Sequence, residues 1–140
     1  MRRIAHRGNT QGPTPDENNP DYILEALNNG FDAEIDVWYI DGQFWLGHDE
    51  PQYRTFLPFL QDSRVWCHAK SLECLIELLS PLRGVHCFWH QDDDYTLTSK
   101  GYIWTYPGKP VCPQSVLVIE DAREYNGPIC HGLCSDYFIK

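Results

Sequence analysis

The sequence predicts an α/β protein built on a parallel sheet. Short apolar runs alternate with helix-like segments as far as His90, and polar residues repeatedly close those runs. A content of 42% hydrophobic and 22% charged residues is ordinary for a globular chain, which excludes disorder and collagen-like repeats. With 140 residues the chain is read as one domain, residues 1–140, long enough to bury a core but too short for two. Aromatic residues make up 14% and suggest large side chains closing that core.

Each element has a local reason. Ile4-Ala5 reads as a short first strand with His6-Arg7-Gly8 at its C-terminal end, followed by a polar loop to Asn19. Asn19 as N-cap, Pro20 in the first turn and Gly30 past the end bracket a helix with Ile23, Leu24, Ala26 and Leu27 on its buried side. Phe31 to Ile40 reads as a strand, Asp41-Gly42 as a hairpin turn and Gln43 to Gly47 as its partner. Pro51 to Asp62 is irregular or briefly helical. Val65-Trp66-Cys67 is a strand running into His68-Ala69-Lys70, and Ser71 caps a helix over Leu72 to Leu79 that Pro81 and Gly84 terminate. Val85 to Trp89 is a strand ending at His90. Beyond it Tyr102 to Tyr106, Val116 to Ile119 and Leu133 to Phe138 read as strands joined by turns rich in Gly and Pro.

Charge and cysteine usage bound the function. Twenty acids against 11 bases give a net charge of -9, which argues against broad nucleic-acid binding. A phosphate substrate is still compatible, because a metal site gathers carboxylates and then neutralises them. No apolar run reaches about 18 residues, and only two apolar residues separate Arg3 from His6, so neither a transmembrane segment nor a secretory signal is expected. A cytoplasmic location follows as the expectation, with the six cysteines mostly buried free thiols rather than three disulfides. Cys130-x-x-x-Cys134 around His131 lacks a second ligand pair at finger-like spacing, so zinc there is a weak reading.

The chemistry-bearing residues fall at strand ends, where active sites gather in parallel α/β proteins. Glu34 and Asp36, two apart on one strand, share a face, while Ala33, Ile35 and Val37 share the other. Two carboxylates aimed into a sheet interior require a cation, and an oxygen-loving ion such as Mg²⁺ or Ca²⁺ is the natural solution; a solvated face is the alternative that periodicity leaves open. His6 and His48 each end a short strand and together make an acid–base pair, since imidazole titrates near working pH. Arg7 suits forked recognition of phosphate oxygens or a surface ion pair. His86 and His131 read as structural, and His90 with Asp92-Asp93-Asp94 reads as a solvated acidic loop or a pocket rim.

Taken in order, His6-Arg7-Gly8, Glu17-Asn18, Glu34-Ile35-Asp36, Asp41-Gly42 and His48-Asp49 resemble the amino-terminal signature of the glycerophosphodiester phosphodiesterases, which runs HRG, PENT, ExD, a DG turn and HD. The wider superfamily includes phosphatidylinositol-specific phospholipases C and spider sphingomyelinases D. The resemblance implies His6 and His48 as the catalytic pair, Glu34 and Asp36 as metal ligands, Arg7 on the phosphate and Glu17 in support. Where the family has Glu-x-Lys this chain has His68-Ala69-Lys70: Lys70 would contact phosphate, and His68 would either replace a carboxylate ligand and shift preference toward Mn²⁺ or Zn²⁺ or leave a looser site completed by water. Cys134-Ser135-Asp136-Tyr137 resembles the family's last strand and implies a closed barrel.

The fold so implied is a reduced (β/α) barrel of the PLC-like phosphodiesterase type with several late helices missing, because a full barrel takes about 250 residues. A partial barrel completed by a second copy is the other solution, and a homodimer stays open beside the first. The expected activity is metal-dependent hydrolysis of a small-molecule phosphodiester, a glycerophosphodiester or related lipid head group. A lipid phosphodiesterase of the sphingomyelinase D or phospholipase C type is a second reading, with Trp38, Trp45, Phe56 and Phe59 as its lipid-facing surface. A third is a non-enzymatic phosphate-binding or assembly relic.

Overall fold

A computed structural model describes residues 1–140. The strands are β1 (Arg2–His6), β2 (Asp32–Ile40), β3 (Gln43–Leu46), β4 (Tyr53–Thr55), β5 (Val65–Ala69), β6 (Cys87–Phe88), β7 (Tyr95–Leu97), β8 (Ile103–Thr105), β9 (Ser115–Val118) and β10 (Gly132–Ser135). The helices are α1 (Pro20–Asn28), α2 (Leu57–Leu60) and α3 (Leu72–Leu78). Seven strands run parallel in the order β6-β5-β2-β1-β10-β9-β8, while the β3-β4 hairpin extends β2 and β7 extends β8, both antiparallel.

This corrects the expected reduced (β/α) barrel. Strands hold 32% of the residues and helices only 14%, and the sheet is mixed and curls into a half-barrel without the alternating helices of a TIM barrel. The physical reason lies in the connections. The β8–β9 link contains Pro107, Gly108, Pro110 and Pro113, and the β9–β10 link contains Gly127 and Pro128, so neither sustains a helix. The free edges approach through side chains and one loop rather than a ladder: Ser99 N–H donates to the Cys87 carbonyl at 2.9 Å, and Phe88 stacks on Trp104 at 4.5 Å.

Local signals set the elements that do form. The Asn19 side chain accepts from Asp21 N–H at 3.0 Å with Pro20 in the first turn, and Ser71 Oγ accepts from Cys74 N–H at 3.2 Å. Asp41 and Gly42 both take positive φ, 51° and 75°, the backbone that matches strand twist in a two-residue hairpin. The segment Pro51 to Asp62, read as irregular or briefly helical, holds the four-residue α2 and also the short strand β4.

Period-two alternation in β2 sorts its side chains between two environments. Ala33, Ile35 and Val37 pack outward against Ile23 and Leu27 of α1 and Cys74 and Leu78 of α3. On the concave face Ile4, Trp66, Phe88, Trp104, Val116 and Cys134 fill the trough. The outer faces of β9 and β10, Leu117 and Leu133, are covered by Val111, Ile119, Ala122, Tyr125 and Phe138 from loops instead of helices. All six cysteines are free, five of them buried. No helix is long and apolar enough to cross a membrane.

Gly47 connects this packing to the position of His48. A Cβ there would sit 1.9 Å from the Glu50 carbonyl oxygen, a backbone atom that cannot swing aside. Gly47→Ala is therefore expected to destabilise the fold by about 2–4 kcal/mol in urea unfolding, within the range of backbone-clash substitutions.

Candidate functional site

Glu34 and Asp36 are 2% and 1% exposed, so the solvated-face alternative does not hold. The register of β2 and β5 sets His68 beside Asp36. Its Nδ1 lies 3.5 Å from Glu34 Oε1 and 3.4 Å from Asp36 Oδ1, while its Nε2 is 2.8 Å from the His90 carbonyl oxygen. A carbonyl only accepts, so Nε2 carries a proton and Nδ1 is the nitrogen turned toward the carboxylates. One donor atom from each of Glu34, Asp36 and His68 falls within 4.8 Å of the others, and Glu34 Oε2 is buried without a hydrogen-bond partner.

Asp36 is the most heavily contacted carboxylate. Asn18 grips it at two points, Nδ2 donating to Oδ2 and Oδ1 accepting from the Asp36 N–H, both at 2.9 Å. His48 Nδ1 is 3.4 Å away, Arg7 Nε 3.5 Å and Lys70 Nζ 3.9 Å. Burial would raise its pKa, but the close approach of His48 and His68 outweighs burial and holds it well below the usual carboxylate range. The same balance acts on His68: burial disfavours its charge, and Asp36 and Glu34 together push it up to about 9.

His6 ends β1, with Nδ1 2.9 Å from Asp136 Oδ1 and Nε2 3.7 Å from Glu34 Oε2. Asn9 holds Asp136 by donating from Nδ2 at 2.8 Å, reaches Glu17 Oε1 at 3.0 Å and accepts from the Tyr22 hydroxyl at 3.0 Å. This chain fixes the His6 ring with Nδ1 on Asp136 and Nε2 facing the carboxylate pair. Burial opposes the His6 charge, but the Asp136 hydrogen bond and Glu34 raise its pKa overall. His48 Nε2 is 3.2 Å from Arg7 Nη2; a guanidinium only donates, so this nitrogen accepts and the His48 proton sits on Nδ1 toward Asp36. Arg7 is further tied by Nη1 to Glu17 Oε2 at 3.0 Å, on a backbone with φ 55°.

The eight residues singled out from the sequence therefore fall in one cluster. His6, Arg7, Glu34, Asp36, His48 and His68 line a cavity of about 220 Å³, Glu17 lies behind Arg7, and Lys70 reaches Asp36 without lining that cavity. Asp136, Asn9 and Asn18 join it as positioning groups to which the sequence reading gave no role. The signal for Asn18 and Asp136 was their place in the Glu17-Asn18 and Cys134-Ser135-Asp136-Tyr137 segments that carry the resemblance, and the pairing of β10 with β1 brings Asp136 to His6. His90 lines the cavity, while Asp92, Asp93 and Asp94 are exposed. His86 is buried on Thr98 Oγ1 at 2.8 Å, and His131 stacks on Tyr102 at 4.0 Å, both away from the cavity. Cys130 Sγ contacts Met1 and Gly132, with no cluster of metal donors around it.

Comparison with known proteins adds no relative: no family model, curated protein or solved structure matches this chain.

Two outcomes are expected of the metal-free protein. His68 is raised from an ordinary 6.5 to about 9, so its contribution is complete below pH 6.5 and is lost as pH rises through 9. Urea unfolding in EDTA should show about 3 kcal/mol less stability at pH 9.5 than at pH 6, with His68→Gln flattening that slope. In Asp136→Asn the support for the His6 charge is lost, so NMR titration should give a lower His6 pKa than in the wild type.

Proposed function

We propose that the chain is a metal-dependent phosphodiester hydrolase acting on glycerophosphodiesters or related lipid head groups. The observation that carries this reading is the union, in one cavity, of two buried carboxylates with an unpartnered Glu34 Oε2 and two histidines on separate elements that face them. The donor set fits a divalent cation: Glu34 Oε, Asp36 Oδ and His68 Nδ1 converge, and the His90 carbonyl holds the far side of the His68 ring as an outer-shell partner does. Such an ion would bind a phosphoryl oxygen and lower the pKa of the attacking hydroxyl. Mn²⁺ or Zn²⁺ suits the mixed oxygen–nitrogen set, and Mg²⁺ or Ca²⁺ suits its carboxylates.

The protein groups divide the remaining work. His6, with Nδ1 held by Asp136, presents Nε2 to the cavity for proton transfer, and His48, which also lines the cavity, supplies the second proton-transfer group. One removes the proton of the attacking hydroxyl and the other protonates the leaving alkoxide. Arg7 lies on the cavity wall, where its guanidinium offsets charge gathering on the phosphoryl oxygens. Lys70 adds to the local positive field through Asp36. The resemblance of the HRG-to-HD series to the glycerophosphodiester phosphodiesterases supports the same assignment. A lipid-surface enzyme is less well supported, since Trp38, Trp45 and Phe59 are half-buried and Phe56 alone of the four is exposed.

Hydrolysis of a glycerophosphodiester panel after EDTA treatment and readdition of Mg²⁺, Mn²⁺, Ca²⁺ or Zn²⁺ tests the proposal. Metal-restored turnover is expected, falling by about 10³-fold or more in His6→Ala and His48→Ala, the scale of a lost general acid or base with its positioning. A folded protein that turns over no diester of the panel with any ion would overturn the proposal and leave the lipid phosphodiesterase and the phosphate-binding relic as the surviving readings.

A further inference from the structure

Two cavities meet at this site and share Arg7 and His48, and their remaining walls are chemically opposite. The first, about 220 Å³, faces the carboxylates and histidines on one side and Trp104, Tyr106, Pro107 and Val118 on the other. The second, about 210 Å³, is lined by Thr14, Asn18, Asp49, Glu50 and Gln52, with Pro15 the one apolar side chain among them. Arg7 and His48 thus stand as the partition between an aromatic chamber and a hydrogen-bonding cleft.

The aromatic wall is continuous with the core and with the donor set. Trp104 is 4% exposed and stacks on Phe88 at 4.5 Å, and Phe88 in turn stacks on His68 at 5.1 Å. Tyr106 stands at the rim, 41% exposed, with its ring 6.4 Å from that of His90. His90 is pinned through Nδ1 to Thr96 Oγ1 at 3.2 Å. The side chains of Pro107 and Val118 carry no hydrogen-bonding group, so a ligand made only of hydroxyls would leave this wall facing water at the usual cost per unit of apolar area. Beyond His48, by contrast, Glu17, Asp49 and Glu50 set three carboxylates against the single guanidinium of Arg7, which repels an anionic group and accepts hydrogen bonds from hydroxyls.

We infer, resting on the phosphodiesterase reading, that the site takes an unsymmetrical phosphodiester, with a planar or apolar ester group against Trp104, Pro107 and Val118 and a hydroxyl-rich, non-anionic alcohol in the cleft beyond His48. The phosphoryl group lies between the two chambers, beside Arg7. Tyr106 and Val118 are then specificity-determining residues for the apolar ester group.

The test uses equilibrium binding, so that it does not depend on turnover. Phenyl dihydroxybutyl phosphinate and methyl dihydroxybutyl phosphinate mimic such diesters with two phosphorus–carbon bonds that hydrolysis does not cleave. Calorimetric titration of the full chain with Mn²⁺ should show the phenyl compound binding about tenfold more tightly, the scale of one aromatic contact. Tyr106→Ala and Val118→Thr should each narrow that ratio; neither removes a fully buried side chain, so both keep the fold. Replacing the dihydroxybutyl arm by a carboxyalkyl arm should weaken binding of either compound. Affinities for the phenyl and methyl compounds within twofold of each other, or a ratio that both variants leave intact, would overturn the inference and leave the hydrolase reading standing. Failure of both phosphinates to bind, together with a silent hydrolysis panel, would overturn the two together.

Discussion

The structure depends on seating two carboxylates inside a sheet. Glu34 and Asp36 occupy the concave face of β2, where burial strips a carboxylate of its water. Every nearby strand end answers that demand with a donor: Arg7 after β1, His48 after β3, His68 and Lys70 at the end of β5, and Asn18 from the loop before α1. Asp36 is fully surrounded in this way. Glu34 is held less closely, with His68 Nδ1 at 3.5 Å and His6 Nε2 at 3.7 Å, and its Oε2 is buried without a hydrogen bond.

Helices cover only part of the sheet, and this shapes the cavity. Where α1 and α3 pack, the outer face of β2 and β5 is apolar and the inner face is free to be polar. On the β8–β9 side the proline-rich connections form loops, and Tyr106 and Pro107 of one such loop reach the cavity rim. The half-barrel therefore has a charged side built by its α/β half and an aromatic side built by its loop-joined half. The Phe88 ring joins them, lying between His68 and Trp104.

Orientation within the site comes from outside the strands that carry its carboxylates and histidines. Asp136 reaches His6 across 130 residues of sequence, and Asn9 ties that contact to Glu17, which in turn holds Arg7. One hydrogen-bonded chain thus fixes both a histidine and the guanidinium, so a loss at any link would be felt at both.

The sequence by itself determined eight of the clustered residues and most of the elements that present them. Glu34 and Asp36 had to share a face because strands alternate, the Asn19 and Ser71 caps placed α1 and α3, and the Asp41-Gly42 turn returned the chain so that His48 lay near β2. These are local constraints, set within a few residues by backbone geometry. Tertiary structure alone decided whether that face was buried, that His68 turns Nδ1 rather than Nε2 to the carboxylates, that Asp136 and Asn18 complete the cluster, and that the sheet stops at a mixed half-barrel in place of the expected reduced (β/α) barrel. Those outcomes follow from strand register, from contacts between residues far apart in sequence and from which loops can cover a sheet face, and no local pattern encodes them.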